Sequence, residues 1–172
     1  MPDPAHDEGA VDFSVHRACM GDESMVRETR LRALTDSPDD FDITVDETRT
    51  WSPDTWTRWI TDNAMFVLRM SSGPAGLAGG SPHWDIPTGV FLLAVWVDPA
   101  FRGTGAANAL VTEVITWARR RGARDVWLHV VKHNGRARRF YERLGFQLTG
   151  VEIVRDRDGL AEVEMRLVLG EG

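Results

Sequence analysis

Residues 89–121 read GVFLLAVWVDPAFRGTGAANALVTEVITWARRR, and the change of pattern inside this stretch decides the fold. The nine residues Gly89–Val97 are nearly all apolar and partly β-branched, too short to cross a bilayer and the right length for a buried central strand. Asp98-Pro99 stops that strand. After RGTGAA, the apolar residues Leu110, Val111, Val114, Ile115 and Ala118 recur at helical spacing, so the glycines fall where a strand turns into a helix. The first turn of a helix has N–H groups without intrahelical partners, and the aligned peptide dipoles place roughly half a positive charge there. Gly103 and Gly105 carry no Cβ to keep a phosphate away from those donors.

Two phosphate-binding patterns fail on this stretch. A Walker loop needs GxxxxGK[ST], but Gly105 is followed by Ala106-Ala107 and the lysine is missing. A dinucleotide fingerprint needs GxGxxG, and the third position is Asn108. Asp125 follows at about the twenty-residue distance of that fingerprint, yet it precedes the next apolar run instead of closing it. The run VWVDPAFRGTGAANAL resembles instead the acyl-CoA-binding motif of the GNAT superfamily of N-acetyltransferases, a strand followed by [QR]xxGx[GA], with Arg102, Gly105 and Ala107 in the pattern positions. A second block, NGRARRFYERLGF at 134–146, resembles the downstream signature NxxAxxFYxxxGF of the same superfamily. The two blocks cover roughly the last half of the chain, and the first half shares only the order of elements.

The rest of the chain supplies those elements. Residues 13–16 alternate like a strand with one solvated face, and Asp22 is expected to cap a helix running to about Leu34. Six acids without a basic residue fill 36–47, and Ser37-Pro38 breaks the helix there. Ser52-Pro53 starts a second helix, with Trp56, Trp59 and Ile60 on one face. Strands are expected at 65–70 and 75–79 around the Ser71-Ser72-Gly73-Pro74 turn, then a loop over 81–88. Beyond the glycine turn come a fifth strand at 125–131, a helix over 134–144 closed by Gly145, and a hairpin of 147–154 with 162–169. The resemblance implies an α/β (α+β mixed) GNAT fold, a mixed and mostly antiparallel sheet splayed between strands 4 and 5, with helices on both faces.

At 172 residues the chain is expected to form a single domain over 11–170, preceded by a disordered start at 1–10. Hydrophobic residues at 42% and charged ones at 27% are ordinary for a globular protein. A net charge of −6, from 20 basic and 26 acidic residues, argues against nucleic acid as a partner. Cys19 is the only cysteine, which excludes an intrachain disulfide and a cysteine-rich metal site. The first ten residues have neither a basic region nor an apolar run, so the expected location is cytoplasmic, with no membrane partner.

Acyl transfer from a thioester to an amine asks for orientation, an oxyanion donor, a base for the amine and an acid for the leaving thiolate. The resemblance assigns acetyl-CoA as co-substrate, without a metal, to the main chains of Val95 and Val97, the turn Arg102, Gly103, Thr104, Gly105, Ala106 and Ala107, and Asn134. It makes Tyr141 both a cofactor contact and the acid that protonates the thiolate. Helical spacing puts Asn134, Ala137, Tyr141 and Leu144 on one face. For each, a packing role is the alternative: a core strand, a tight turn, a helix cap, a packed aromatic. Some relatives carry a glutamate early in the central strand, but 88–91 read Thr-Gly-Val-Phe, so His129 is the first choice of base, with His83 and Asp85 behind it and a merely structural His129 the alternative.

The expected activity is therefore transfer of an acetyl group to the primary amine of a small cationic acceptor, by direct attack in a ternary complex. The acids of 36–47 near Trp51, Trp56 and Trp59 are candidates to hold that cation, with a solvated loop over a tryptophan core as the other reading. Acetylation of a protein N-terminus or lysine, and a non-catalytic acyl-CoA sensor, are the rivals. The alternating C-terminal hairpin is a surface that a homodimer would use.

Overall fold

The apolar run Gly89–Val97 becomes the middle strand of a seven-stranded sheet in the computed structural model, which describes residues 12–170. The elements follow in the order β1 (Phe13–Arg17), α1 (Glu23–Asp36), α2 (Val45–Arg49), α3 (Pro53–Asp62), β2 (Ala64–Met70), β3 (Gly73–Pro82), β4 (Gly89–Val97), α4 (Ala106–Arg120), β5 (Asp125–Val131), α5 (Gly135–Arg143), β6 (Gln147–Val154) and β7 (Ala161–Val168). The sheet order is β1-β2-β3-β4-β5-β7-β6, antiparallel throughout except that β4 and β5 run parallel.

Alternation along the strands builds a core on each face. On one side, Leu110, Val111, Val114 and Ala118 of α4 pack on Phe66, Leu68, Ala78, Leu92 and Leu128. On the other, Val26, Ala33 and Leu34 of α1 and Trp56 and Ile60 of α3 cover Met65, Val67, Leu77 and Trp96. Side chains of this size each contribute about 1.5–3 kcal/mol when fully buried. Gly80 permits the close seating of α4, because a Cβ there would lie 2.8 Å from the Trp117 ring and 2.9 Å from Val114.

The feature that positions the site is a split in the sheet. β4 and β5 pair only from Gly89↔Asp125 to Phe91↔Trp127. Past Phe91 they part. Ala94 sits at φ 56, and the register with β3 shifts between Leu77 and Gly79, the signature of a bulge that bends a strand and re-aims it. An alanine in the left-handed region costs on the order of 1 kcal/mol and persists only where its surroundings enforce it.

Three expectations need correction. The Asp22 side chain does not cap α1; it turns back to accept from the Cys19 amide at 2.9 Å. The acidic segment is not all loop: Thr44 and Glu47 form a reciprocal capping box that starts α2. The strand expected at 75–79 is longer, since β3 takes in Gly73-Pro74 from the expected turn and Ser81-Pro82 from the expected loop, which pair with β2 and β4. The expected disordered start at 1–10 lies outside the described residues. Among the described residues no helix is long and apolar enough to cross a membrane, and no group of three or more His, Cys, Asp or Glu is placed to hold a metal ion.

Candidate active site

The turn between β4 and α4 is built by its own side chains. Asp98 accepts from the Ala100 amide at 2.9 Å, and Thr104 Oγ1 donates to the Phe101 carbonyl at 2.6 Å. Arg102 spans the turn, with Nε donating to the Val97 carbonyl at 3.0 Å and Nη2 to Asp36 at 2.5 Å. Its guanidinium is committed to the fold. Gly103 and Gly105 adopt φ of +80 and +87, where a Cβ would be strained. The first helical bond that Gly105 receives comes from Ala109, so the amides of Ala106, Ala107 and Asn108 open the helix unpaired.

A cavity of about 710 Å³ runs from this turn towards the split, lined by Val95, Val97, Arg102, Gly103, Gly105, Ala107, Asn134 and Tyr141. Thr104 and Ala106, expected among the cofactor contacts, do not line it; Thr104 holds the turn and Ala106 is buried beneath it. Asn108, Arg136 and Arg143 line it and were not singled out from the sequence. A second cleft of about 490 Å³ opens on the other side of the split and is lined by His129, Glu162, Arg30, Asp40, Asp42, Trp51, Trp59 and Trp84. The two cavities share Asp40, Phe41, Val95, Asn134, Ala137 and Tyr141. Asn134 caps α5 by accepting from the Ala137 amide at 3.0 Å, and its Nδ2 donates to Asp40 at 2.9 Å. Burial above all, with Asp40 adding to it, raises the Tyr141 phenol above its ordinary range.

His129 faces the second cleft with its ring against Phe91 and Trp84, at 5.0 and 5.9 Å between centroids. Two carboxylates of β7 flank it: Glu164 lies 3.5 Å from Nε2 and Glu162 3.8 Å from Nδ1. Burial raises the Glu162 carboxyl, and Arg155 and His129 partly offset that. His83 has one ring nitrogen already engaged. Its Nδ1 accepts from the amides of Asp85 and Ile86 at 3.1 and 3.2 Å, and burial lowers its basicity. Of the six acids in 36–47, only Asp40 and Asp42 reach the cleft; Asp36 holds Arg102, Asp46 pairs with Arg49 and Glu47 completes a helix cap.

Residues 30–146 match the acetyltransferase (GNAT) family. This chain belongs to the GNAT family. It is 32% identical over 103 residues to an uncharacterised N-acetyltransferase of Methanocaldococcus jannaschii, covering 54% of the chain and 46% of that protein. To a mycothiol acetyltransferase of Thermobispora bispora it is 32% identical over 146 residues, 79% of the chain and 46% of the other. The chain thus spans under half the length of these curated relatives. Among solved structures, an acetyltransferase-like protein of Salmonella typhimurium, solved with its cofactor acetyl-CoA, superposes with a TM-score of 0.73 at 21% identity over 94% of this chain and 96% of that one. That likeness carries the fold.

For a GNAT chain, the missed residues are as informative as the found ones. The alternating AEVEMRLV puts Glu162 and Glu164 on one face of β7, a signal present in the sequence. That this face stands beside His129 follows only from the pairing His129↔Glu164, which no local pattern announces. Arg30 offered no signal, since an arginine on a helix is ordinarily exposed.

Proposed function

We propose that this GNAT protein transfers the acetyl group of acetyl-CoA to the amine of a small molecule by direct attack in a ternary complex. One observation carries the reading: two cavities, one starting at an anion-binding helix terminus and one carrying a histidine between carboxylates, meet at the Tyr141 side chain in a split sheet. The unpaired amides of Ala107 and Asn108, which line the cavity, suit the diphosphate of coenzyme A, in an acidic protein whose net charge of −6 would otherwise repel it. The parted edge of β4 around Val95 offers main-chain groups to the pantetheine arm and the thioester oxygen.

The acceptor arrives as an ammonium and must lose a proton before its nitrogen attacks. His129 takes that proton, directly or through a water, and Glu162 and Glu164 on either side stabilise the imidazolium that forms. As the new C–N bond forms, negative charge builds on the thioester oxygen and is met by the β4 main chain. When the C–S bond breaks, Tyr141 gives its proton to the departing thiolate, a transfer coupled to bond cleavage because a phenol is the weaker acid. Cys19 is exposed next to Asp22 and lines neither cavity, so no acyl-enzyme step is invoked.

The test is release of free thiol from acetyl-CoA across a panel of small amines, with wild type and Tyr141→Phe. Amine-dependent release that falls about 100-fold in the variant supports the reading. Tight coenzyme binding with no release for any amine overturns it in favour of a sensor.

A further inference from the structure

Among the described residues, Arg30 is a buried cation with no side chain that neutralises it. It projects from α1 into the acceptor cleft, the one that holds His129, and is 6% exposed. Its Nε and Nη1 are shut off from solvent and have no hydrogen-bond partner among the described residues. The Phe41 ring lies 4.4 Å from the guanidinium carbon and the Trp59 ring 5.7 Å. Aromatic faces cover the flat of a guanidinium but leave the donors around its edge unanswered. Burial lowers the Arg30 pKa to about 10, and no acidic neighbour restores it. Two carboxylates of the same cleft have other work, Asp40 accepting from Asn134 and Glu162 pairing with Arg155 and facing His129, and the third, Asp42, makes no ion pair with Arg30.

Resting on the acetyltransferase reading of the cleft, we infer that the acceptor is an amino carboxylate, with its carboxylate seated on Arg30 and its amine turned towards His129 and the split. A carboxylate matches a planar guanidinium in shape and supplies the counter-charge that this position lacks. The carboxylates that line the same cleft, Asp40, Asp42 and Glu162, with Glu164 beside His129, suit the ammonium. Phe41, Trp51, Trp59 and Ile43 supply the apolar lining, which selects an acceptor with an apolar side chain. The volume of about 490 Å³ falls within the ~300–1,000 Å³ of small-molecule sites.

Binding of the acetylated product tests this without requiring turnover. The probes are N-acetyl-leucine, N-acetyl-methionine and N-acetyl-tryptophan, each beside its carboxamide, titrated calorimetrically into protein saturated with coenzyme A. Wild type should bind at least one carboxylate at least tenfold more tightly than its amide. Arg30→Met should bring that carboxylate to the level of the amide, with coenzyme affinity unchanged, and Arg30→Lys should fall between. Because the change removes an unneutralised charge, Arg30→Met should melt no lower than wild type without ligand and should lose the melting shift that the carboxylate gives. Amides that bind as tightly as carboxylates, or no binding of either, would overturn the inference, and if Arg30→Met does not fold the wild-type comparison decides alone. Carboxylate-selective binding without thiol release from acetyl-CoA and the free amino acids would leave this inference standing and sink the catalytic reading instead.

Discussion

Ala107 is the second residue of α4 and lines the cofactor cavity, so a side chain grown there points at the place proposed for the diphosphate. Ala107→Glu separates binding from folding, because a carboxylate in the first turn of a helix favours the helix while it repels a phosphate. The expected result is a loss of coenzyme A affinity of about 100-fold or more, roughly 2.7 kcal/mol, with an unchanged melting temperature. Calorimetric affinity equal to wild type would contradict the phosphate assignment. Gly105 is the poorer site for this test, since its φ of +87 would strain any replacement. Tyr141 makes a prediction in pH. Its folded pKa is raised, chiefly by burial, so the neutral phenol persists below and beyond its ordinary range near 10 and is lost only as pH rises further. The rate should therefore climb with pH as base and ammonium deprotonate and show no descending limb below about pH 10. Tyr141→Phe should keep the shape of that profile at a lower height; a wild-type rate falling above pH 8 would count against Tyr141 as the acid.

The β6–β7 turn acts as a clasp on the acceptor loop. Arg155, 4% exposed, binds Asp158 at 2.6 Å and Glu162 at 3.4 Å and donates to the Asp39 carbonyl at 2.9 Å, while Arg157 reaches the Phe41 carbonyl at 3.0 Å. The hairpin thus holds the segment that carries Asp40 and Phe41 into the cleft. Arg155→Met should cost about 3 kcal/mol, because it leaves the Glu162 carboxylate without its guanidinium and the Asp39 carbonyl without its donor, while Asp158 keeps Arg157. In the folded fraction, KM for the amine should rise several-fold while KM for acetyl-CoA stays within about twofold, since the glycine turn lies elsewhere. Equal rises in both would mean a global effect and not a clasp. The same hairpin shows the limit of reading elements by period: β6 alternates, yet its apolar side chains meet solvent because it lies at the sheet edge, beyond β7.

At the scale of the whole molecule, Asp36 ties α1 to the central strand and to the glycine turn. Standing at the end of α1, it accepts from Trp96 Nε1 of β4 at 2.9 Å and from Arg102 of the glycine turn at 2.5 Å. Burial alone would raise its pKa, but the bonds from Trp96, Ser37 and Arg102 outweigh that and leave it lowered. A lowered carboxylate stabilises the fold above its unfolded pKa and loses that contribution as pH falls through the folded value. Wild type should therefore melt above Asp36→Asn at pH 7, with the gap closing below about pH 4. A gap that widened in acid would reverse the sign and discard the argument. Most of the architecture was legible along the chain. The strand, the glycine turn with its positive φ and the helix after it depend on neighbours within a few residues, and local chemistry fixes them. The face shared by Asn134, Ala137 and Tyr141 was legible for the same reason. The short helix Val45–Arg49 was also written locally, in Thr44 and Glu47, but lay under a run of acids that reads as loop. What the sequence determined by itself is thus the glycine turn and the helix terminus behind it, because such a turn is a contiguous object. The cleft around His129 was decided by the tertiary structure alone. His129 acquires Glu164 through strand register, and Arg30 acquires its burial from Phe41 and Trp59. Only the closing of the sheet and the packing of α1 upon it bring those residues to one cleft.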